Sequence, residues 1–198
     1  MADTSRWEAR DIARIAVFAG IIIVLGLMGP IPMPGLVPIT AQTLGVMLAG
    51  AVLGWQRGAA AVLVVLLLVA VGLPVLAGGR GGLGIFVGPT AGYAIGWIFG
   101  AAAVGFLAHA GARRLTWWRV AIASVVGGIV VVYAFGIPVQ AAVIGTTFGE
   151  TVLTSLVFLP GDLIKAVLTM VLTMLLYRAY PPAFPASVRR ARATPRAS

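Results

Sequence analysis

Arg14-Ile15-Ala16-Val17-Phe18-Ala19-Gly20-Ile21-Ile22-Ile23-Val24-Leu25-Gly26-Leu27-Met28-Gly29-Pro30 is an unbroken apolar run between an arginine and a proline. A helix of about 20 apolar residues crosses the hydrocarbon core of a bilayer. Counted from Asp11 to Gly29, the stretch is long enough to cross. Pro30, Pro32 and Pro34 end it, because proline lacks the N–H that would continue the helical ladder. A basic start before an apolar run also resembles a secretory signal. However, Gly29-Pro30-Ile31-Pro32 is not a small-residue cleavage site, and further apolar runs follow, so the first span is expected to be retained.

Five more spans are expected, at 39–55, 59–73, 89–109, 118–135 and 160–177. A turn at Gln56-Arg57-Gly58 separates the second from the third, and a glycine-rich loop, 77–88, precedes the fourth. Composition agrees: 61% of residues are hydrophobic and 10% charged, against about 25% charged in soluble domains. Mean hydropathy is +1.07. The excess apolar surface has to face lipid. Residues 1–180 are expected to form one transmembrane solute-binding domain, with 181–198 as a basic, disordered cytoplasmic tail.

Arginine and lysine collect in cytoplasmic loops. With the N-terminus inside, six spans put all but two of the 14 basic residues inside, the exceptions being Arg80 and Lys165. An even number of spans with both termini cytoplasmic follows. Residues 139–159 are long enough to cross but carry Gln140, Glu150 and several threonines. Counting them as a span would send the basic tail outside. They are therefore expected to be a helical segment at the outer interface before helix six. The net charge of +9 reads as topology plus attraction to lipid headgroups, not as a nucleic-acid site.

Cysteine is absent, which excludes disulfides, zinc–cysteine sites and thiol catalysis. The only histidine, His109, falls at the inner end of its span, a bilayer away from Asp162, so no catalytic triad forms. No catalytic residues, metal site or cofactor are expected.

Ionisable groups within a membrane point to function. Asp162 and Lys165 are three residues apart and share a helix face, with Pro160-Gly161 read as a helix start that favours the negative charge. They form either a structural ion pair or a polar site for a solute carrying donors and an acid group. Arg80, in the outer glycine run with Gly79, suits an anion, though a solvated loop charge is the plainer alternative. Thr40, Gln42 and Thr43 end the proline-stiffened outer loop 31–43 and can hydrogen-bond a solute, with helix capping by Thr40 as the alternative. Tyr93 can supply an aromatic wall or serve as an anchor at the membrane interface. Gly92, Gly96 and Gly100 share a helix face and allow close packing; Ala16 and Gly20 have the same spacing and can face a partner protein.

Four strings resemble the BioY family: Pro38-Ile39-Thr40-Ala41-Gln42-Thr43-Leu44-Gly45, Gly72-Leu73-Pro74-Val75 with Ala77-Gly78-Gly79-Arg80-Gly81-Gly82, Gly88-Pro89-Thr90-Ala91-Gly92-Tyr93, and Leu159-Pro160-Gly161-Asp162-Leu163-Ile164-Lys165-Ala166. The resemblance runs from about Ile12 to Tyr177. It implies an all-α, six-helix S-component fold that binds biotin near the outer face of the bacterial cytoplasmic membrane. It also implies a transmembrane coupling subunit and cytoplasmic ATPases of an energy-coupling-factor (ECF) transporter as partners. The family's small-residue contact on helix one falls at Ala16 and Gly20, with glycine where alanine is usual. Biotin suits the polar residues: Asp162 can accept its ureido N–H groups, and Lys165 or Arg80 can pair with its carboxylate. A different vitamin, a membrane enzyme using Asp162, and a structural subunit remain as alternatives, and a homo-oligomer is left open.

Overall fold

The structure is a computed structural model and describes residues 8–29, 40–112 and 114–189. The proline-rich loop 31–38 lies outside the described residues. Six long helices follow one another: α1 (Ala9–Leu27), α2 (Gln42–Leu53), α3 (Trp55–Ala70), α4 (Ala91–His109), α5 (Trp117–Ile144) and α6 (Phe148–Ala179).

α4, α5 and α6 are long and apolar enough to cross a membrane. The most apolar window of α6 is only 22% buried, so the helix presents an apolar face outward, as a lipid-facing helix does. The chain is a multi-pass membrane protein. α2 has 12 residues, nine of them buried, and it sits centrally against α1, α3, α4 and α6.

The α2–α3 corner is a single residue, Gly54, at φ +83°. Gln56, Arg57 and Gly58, expected as the turn, lie instead in the first turn of α3. Glycine alone takes the left-handed angle without a Cβ penalty, so the break falls there. Gly105 of α4 packs on this corner; a Cβ there would meet the backbone of Gly54 and Trp55. Along α4, a Cβ on Gly96 would come to 3.1 Å from the Val132 carbonyl oxygen, and one on Gly100 to 2.8 Å from that of Gly127. The Gly92–Gly96–Gly100 face is therefore the seam between α4 and α5.

α5 runs past Phe135 to Ile144 and contains a π-helical segment, Val126–Val131. Gly145, at φ +79°, ends it. Thr147 then opens α6: its Oγ1 accepts from the Glu150 N–H at 3.3 Å, and Glu150 Oε2 accepts from the Thr147 N–H at 3.0 Å. Residues 139–159 are thus a corner: 139–144 finish α5, and 148–158 run through a short 3-10 stretch into the rest of α6. The threonines that suggested an interface are satisfied locally. Thr151 Oγ1 donates to the Thr147 carbonyl (3.0 Å) and Ser155 Oγ to that of Thr151 (2.7 Å). Such back-bonds make hydroxyls tolerable in an apolar helix.

The packed body extends beyond Tyr180. A 3-10 turn, Pro181–Ala183, and a short helix, Ala186–Arg189, fold back under the bundle. Phe184 and Val188 are fully buried, Tyr177 Oη donates to the Val188 carbonyl at 2.6 Å, and the Tyr177 and Phe184 rings meet edge-on at 5.1 Å. Residues 181–189, expected to be disordered, form a strap, because Phe184 and Val188 supply apolar surface that the basic character of the region masked.

Candidate solute-binding site

A cavity enclosing about 780 Å³ of protein-free space, part of it at an open mouth, lies at the end of the bundle away from the strap. The starts of α2 and α4, the middle of α5 and α6, and the loop before α4 enclose it.

On α6, Lys165 Nζ lies 2.8 Å from Asp162 Oδ1, and the two side chains are 12% and 10% exposed. From α5, Tyr133 Oη donates to Asp162 Oδ2 at 2.7 Å. Among the described residues no other donor reaches either oxygen, so each keeps acceptor capacity facing the cavity. The helix start expected at Pro160 is present: after the 3-10 stretch Leu156–Phe158 the α-helical part of α6 begins at Leu159, with Pro160 in its first turn and Asp162 as the acidic residue of that turn. The carboxylate is therefore held by a cation and a hydroxyl in the first turn of that helical stretch, where the helix N-terminus also favours negative charge.

Arg80 comes from the loop. Its backbone bridges Leu76, and its Nε donates to the Ala77 carbonyl at 3.2 Å. The residue is exposed, and the guanidinium has no acidic partner among the described residues. With Asp162 balanced by Lys165, Arg80 is the uncompensated charge of the cavity. Gly79 does not line the cavity; at φ +69° it makes the turn that aims Arg80.

Gln42 lines the cavity yet is nearly fully engaged. Its Nε2 donates to the carbonyls of Val75 (3.1 Å) and Ile22 (3.4 Å), and its Oε1 accepts from the Ala77 N–H at 2.9 Å. It ties α1, α2 and the Arg80 loop together. A Cβ on Gly26 would overlap the Gln42 amide, so Gly26 makes room for this clamp. Thr43 is the opposite case: Oγ1 is buried at the cavity without a hydrogen-bond partner among the described residues. A buried hydroxyl left this way is a natural point for a ligand contact.

Tyr93 also lines the cavity. Its Oη donates to Gln140 Oε1 at 2.7 Å and lies 3.2 Å from Ser155 Oγ, and its ring meets Tyr133 edge-on at 6.1 Å. Leu76, Ile85, Ala94 and Trp97 form apolar wall. Sequence reasoning missed Tyr133. The signal was a lone tyrosine inside an otherwise apolar span, whose hydroxyl must find a partner when buried. Among the described residues no group of three or more His, Cys, Asp or Glu side chains could hold a metal. Ala16 and Gly20 are remote from the cavity: Ala16 is exposed, and a Cβ on Gly20 would meet nothing.

The BioY family model matches residues 1–182, nearly the whole described bundle. The chain belongs to the BioY family. A relative called biotin transporter BioY from Rhizobium etli is 52% identical over 180 residues, covering 88% of this chain and 96% of that protein. Another of the same name, from Rhodobacter capsulatus, is 47% identical and covers 81% of this chain and 89% of its own. Among solved structures, the S-component for biotin from an ECF-type ABC transporter superposes with a TM-score of 0.80 at 31% identity, covering 98% of this chain and 96% of that one. This BioY chain thus has an S-component fold.

Proposed function

We propose that this chain is the biotin-binding S component of an ECF transporter. It lies in the bacterial cytoplasmic membrane in six spans with both termini inside, and the cavity opens outward. It captures biotin and delivers it inward with a transmembrane coupling subunit and cytoplasmic ATPases. It is a binding component and does no covalent chemistry.

One observation carries the reading. Asp162 is a carboxylate with acceptor capacity left on both oxygens, inside a cavity that also holds an uncompensated arginine and an apolar wall. Biotin has two ureido N–H donors, an apolar thioether body and a carboxylate. Asp162 accepts from the ureido edge, Trp97, Ile85 and Leu76 cover the body, and Arg80 pairs with the carboxylate because Lys165 is already engaged. Charge-assisted bonds at both ends give the orientation. Thr43 Oγ1 supplies one further contact.

The partner face is α1 at Ala16 and Gly20. The glycine face of α4 is filled by α5, whereas the space beside Gly20 is open, so a second helix can approach closely there.

The test is equilibrium binding of labelled biotin to detergent-purified protein, competed by unlabelled biotin, desthiobiotin, thiamine and riboflavin. Binding displaced by biotin but not by thiamine or riboflavin supports the reading. Absence of binding in folded protein sinks it, and displacement by another vitamin reassigns the solute.

A further inference from the structure

We infer that Tyr133 is the positioning residue of the site, and that the π-helical segment Val126–Val131 exists to put it there. This rests on the proposed role of Asp162.

Asp162 sits on a lipid-facing helix, and a carboxylate can rotate about its own side chain. Lys165, three residues along the same helix, holds one oxygen but moves with that helix. Among the described residues, Tyr133 is the one hydrogen-bond partner of Asp162 that comes from another element. It fixes the plane of the carboxylate against α5 and leaves the free lone pairs toward the cavity. Tyr133 is itself braced: its ring packs edge-on against Tyr93, whose hydroxyl is held by Gln140 and Ser155. α4, α5 and α6 thereby meet at one aromatic pair beside the carboxylate.

Helical phase makes the π segment necessary. Gly128, Val132 and Tyr133 all line the cavity. Residues five apart lie about 140° apart round a regular α-helix, so Gly128 and Tyr133 would face different sides. A turn with i to i+5 hydrogen bonds brings them onto one side. Meanwhile Gly127 stays against α4, and Gly128 stays against Met47 of α2; a Cβ at either position would collide with those partners. The wide turn therefore keeps the glycine seam on α2 and α4 and still directs the Tyr133 hydroxyl at Asp162.

The test compares Tyr133→Phe, Asp162→Asn and the double variant with wild-type protein in detergent. The phenyl ring keeps the contact with Tyr93, so folding is expected to hold, and thermal unfolding checks it. Without any solute, the infrared carboxylate band that disappears in Asp162→Asn is expected to shift in Tyr133→Phe. With labelled biotin, Tyr133→Phe is expected to weaken binding roughly tenfold, in line with a hydrogen bond to a charged group. The same change is expected to have no further effect on top of Asp162→Asn, because it acts through that carboxylate. An unmoved infrared band, or equal losses in both backgrounds, overturns the inference. Should wild-type protein bind no biotin, the proposed function fails, and the infrared comparison alone still decides whether Tyr133 positions Asp162.

Discussion

Two aspartates of this chain look alike on paper and do different work. Asp11 and Asp162 are both buried, at 6% and 7% exposure, and each has a cation three residues later on its own helix, Arg14 and Lys165. Asp11, near the start of α1, has its oxygens taken by protein: Arg14 at 3.3 Å and the Glu8 N–H at 3.4 Å, with Arg57 of α3 at 2.9 Å. Arg14 goes on to the Pro182 carbonyl of the strap at 2.6 Å. This cluster knots α1, α3 and the strap together. Asp162 keeps open acceptor positions and borders a cavity. A buried ion pair is therefore not in itself a sign of a site; unfilled valence beside empty space is.

The largest effect should fall on the knotted end. Phe184→Ala removes a fully buried ring from the strap and should cost about 3–5 kcal/mol of stability. A lowered melting temperature in detergent would register it, with unchanged biotin affinity in the surviving folded fraction. A loss of affinity without a loss of stability would break the division between the two ends.

The aspartates can be compared directly. Asp162→Asn should weaken biotin binding roughly 100-fold while the protein stays folded, since solvent in the cavity can hydrate Lys165. Asp11→Asn should leave affinity within about twofold and lower the melting temperature, because two arginines lose their buried partner. Isothermal titration and thermal unfolding on both variants read the contrast, and a reversal of the two outcomes would refute it.

Smaller changes sharpen the picture within the cavity. Arg80→Ala should weaken biotin about tenfold but biotin methyl ester hardly at all, because the ester lacks the charge that Arg80 pairs with. Equal losses for both would remove Arg80 from the carboxylate. Thr43→Val keeps the shape and deletes an unpartnered hydroxyl. It should cost about threefold in affinity and nothing in melting temperature, the signature of a group satisfied only by ligand. A rise in stability with unchanged affinity would make that hydroxyl a bystander.

Much of the site was readable along the chain. Asp162, Lys165, Arg80, Gln42, Thr43 and Tyr93 all line the cavity, because polar groups in an apolar span or at its mouth are costly unless they have a use. Their roles were less readable. Gln42 turned out to be largely a clamp, and Gly79 acts on the backbone of the loop, since a sequence lists donors without saying which are already paired. Tyr133 escaped because its importance depends on α5 being wound wide at Val126–Val131, and a one-residue change of phase leaves no mark in composition.

Hydropathy and proline placement by themselves determined a helical membrane bundle, and the absence of cysteine excluded thiol chemistry, because these depend only on what each residue can do in lipid. The order of the motifs carried the family. Tertiary structure alone decided that the α2–α3 corner is Gly54, that 139–159 is the α5–α6 corner, that 181–189 is a strap, and which of two similar ion pairs borders a cavity. Those outcomes depend on contacts between residues far apart in the chain: Phe184 beneath the bundle, Gly105 against Gly54, and Tyr133 against Asp162. Local spacing is blind to such contacts, because the free energy that fixes them comes from surfaces that meet only after the helices have packed.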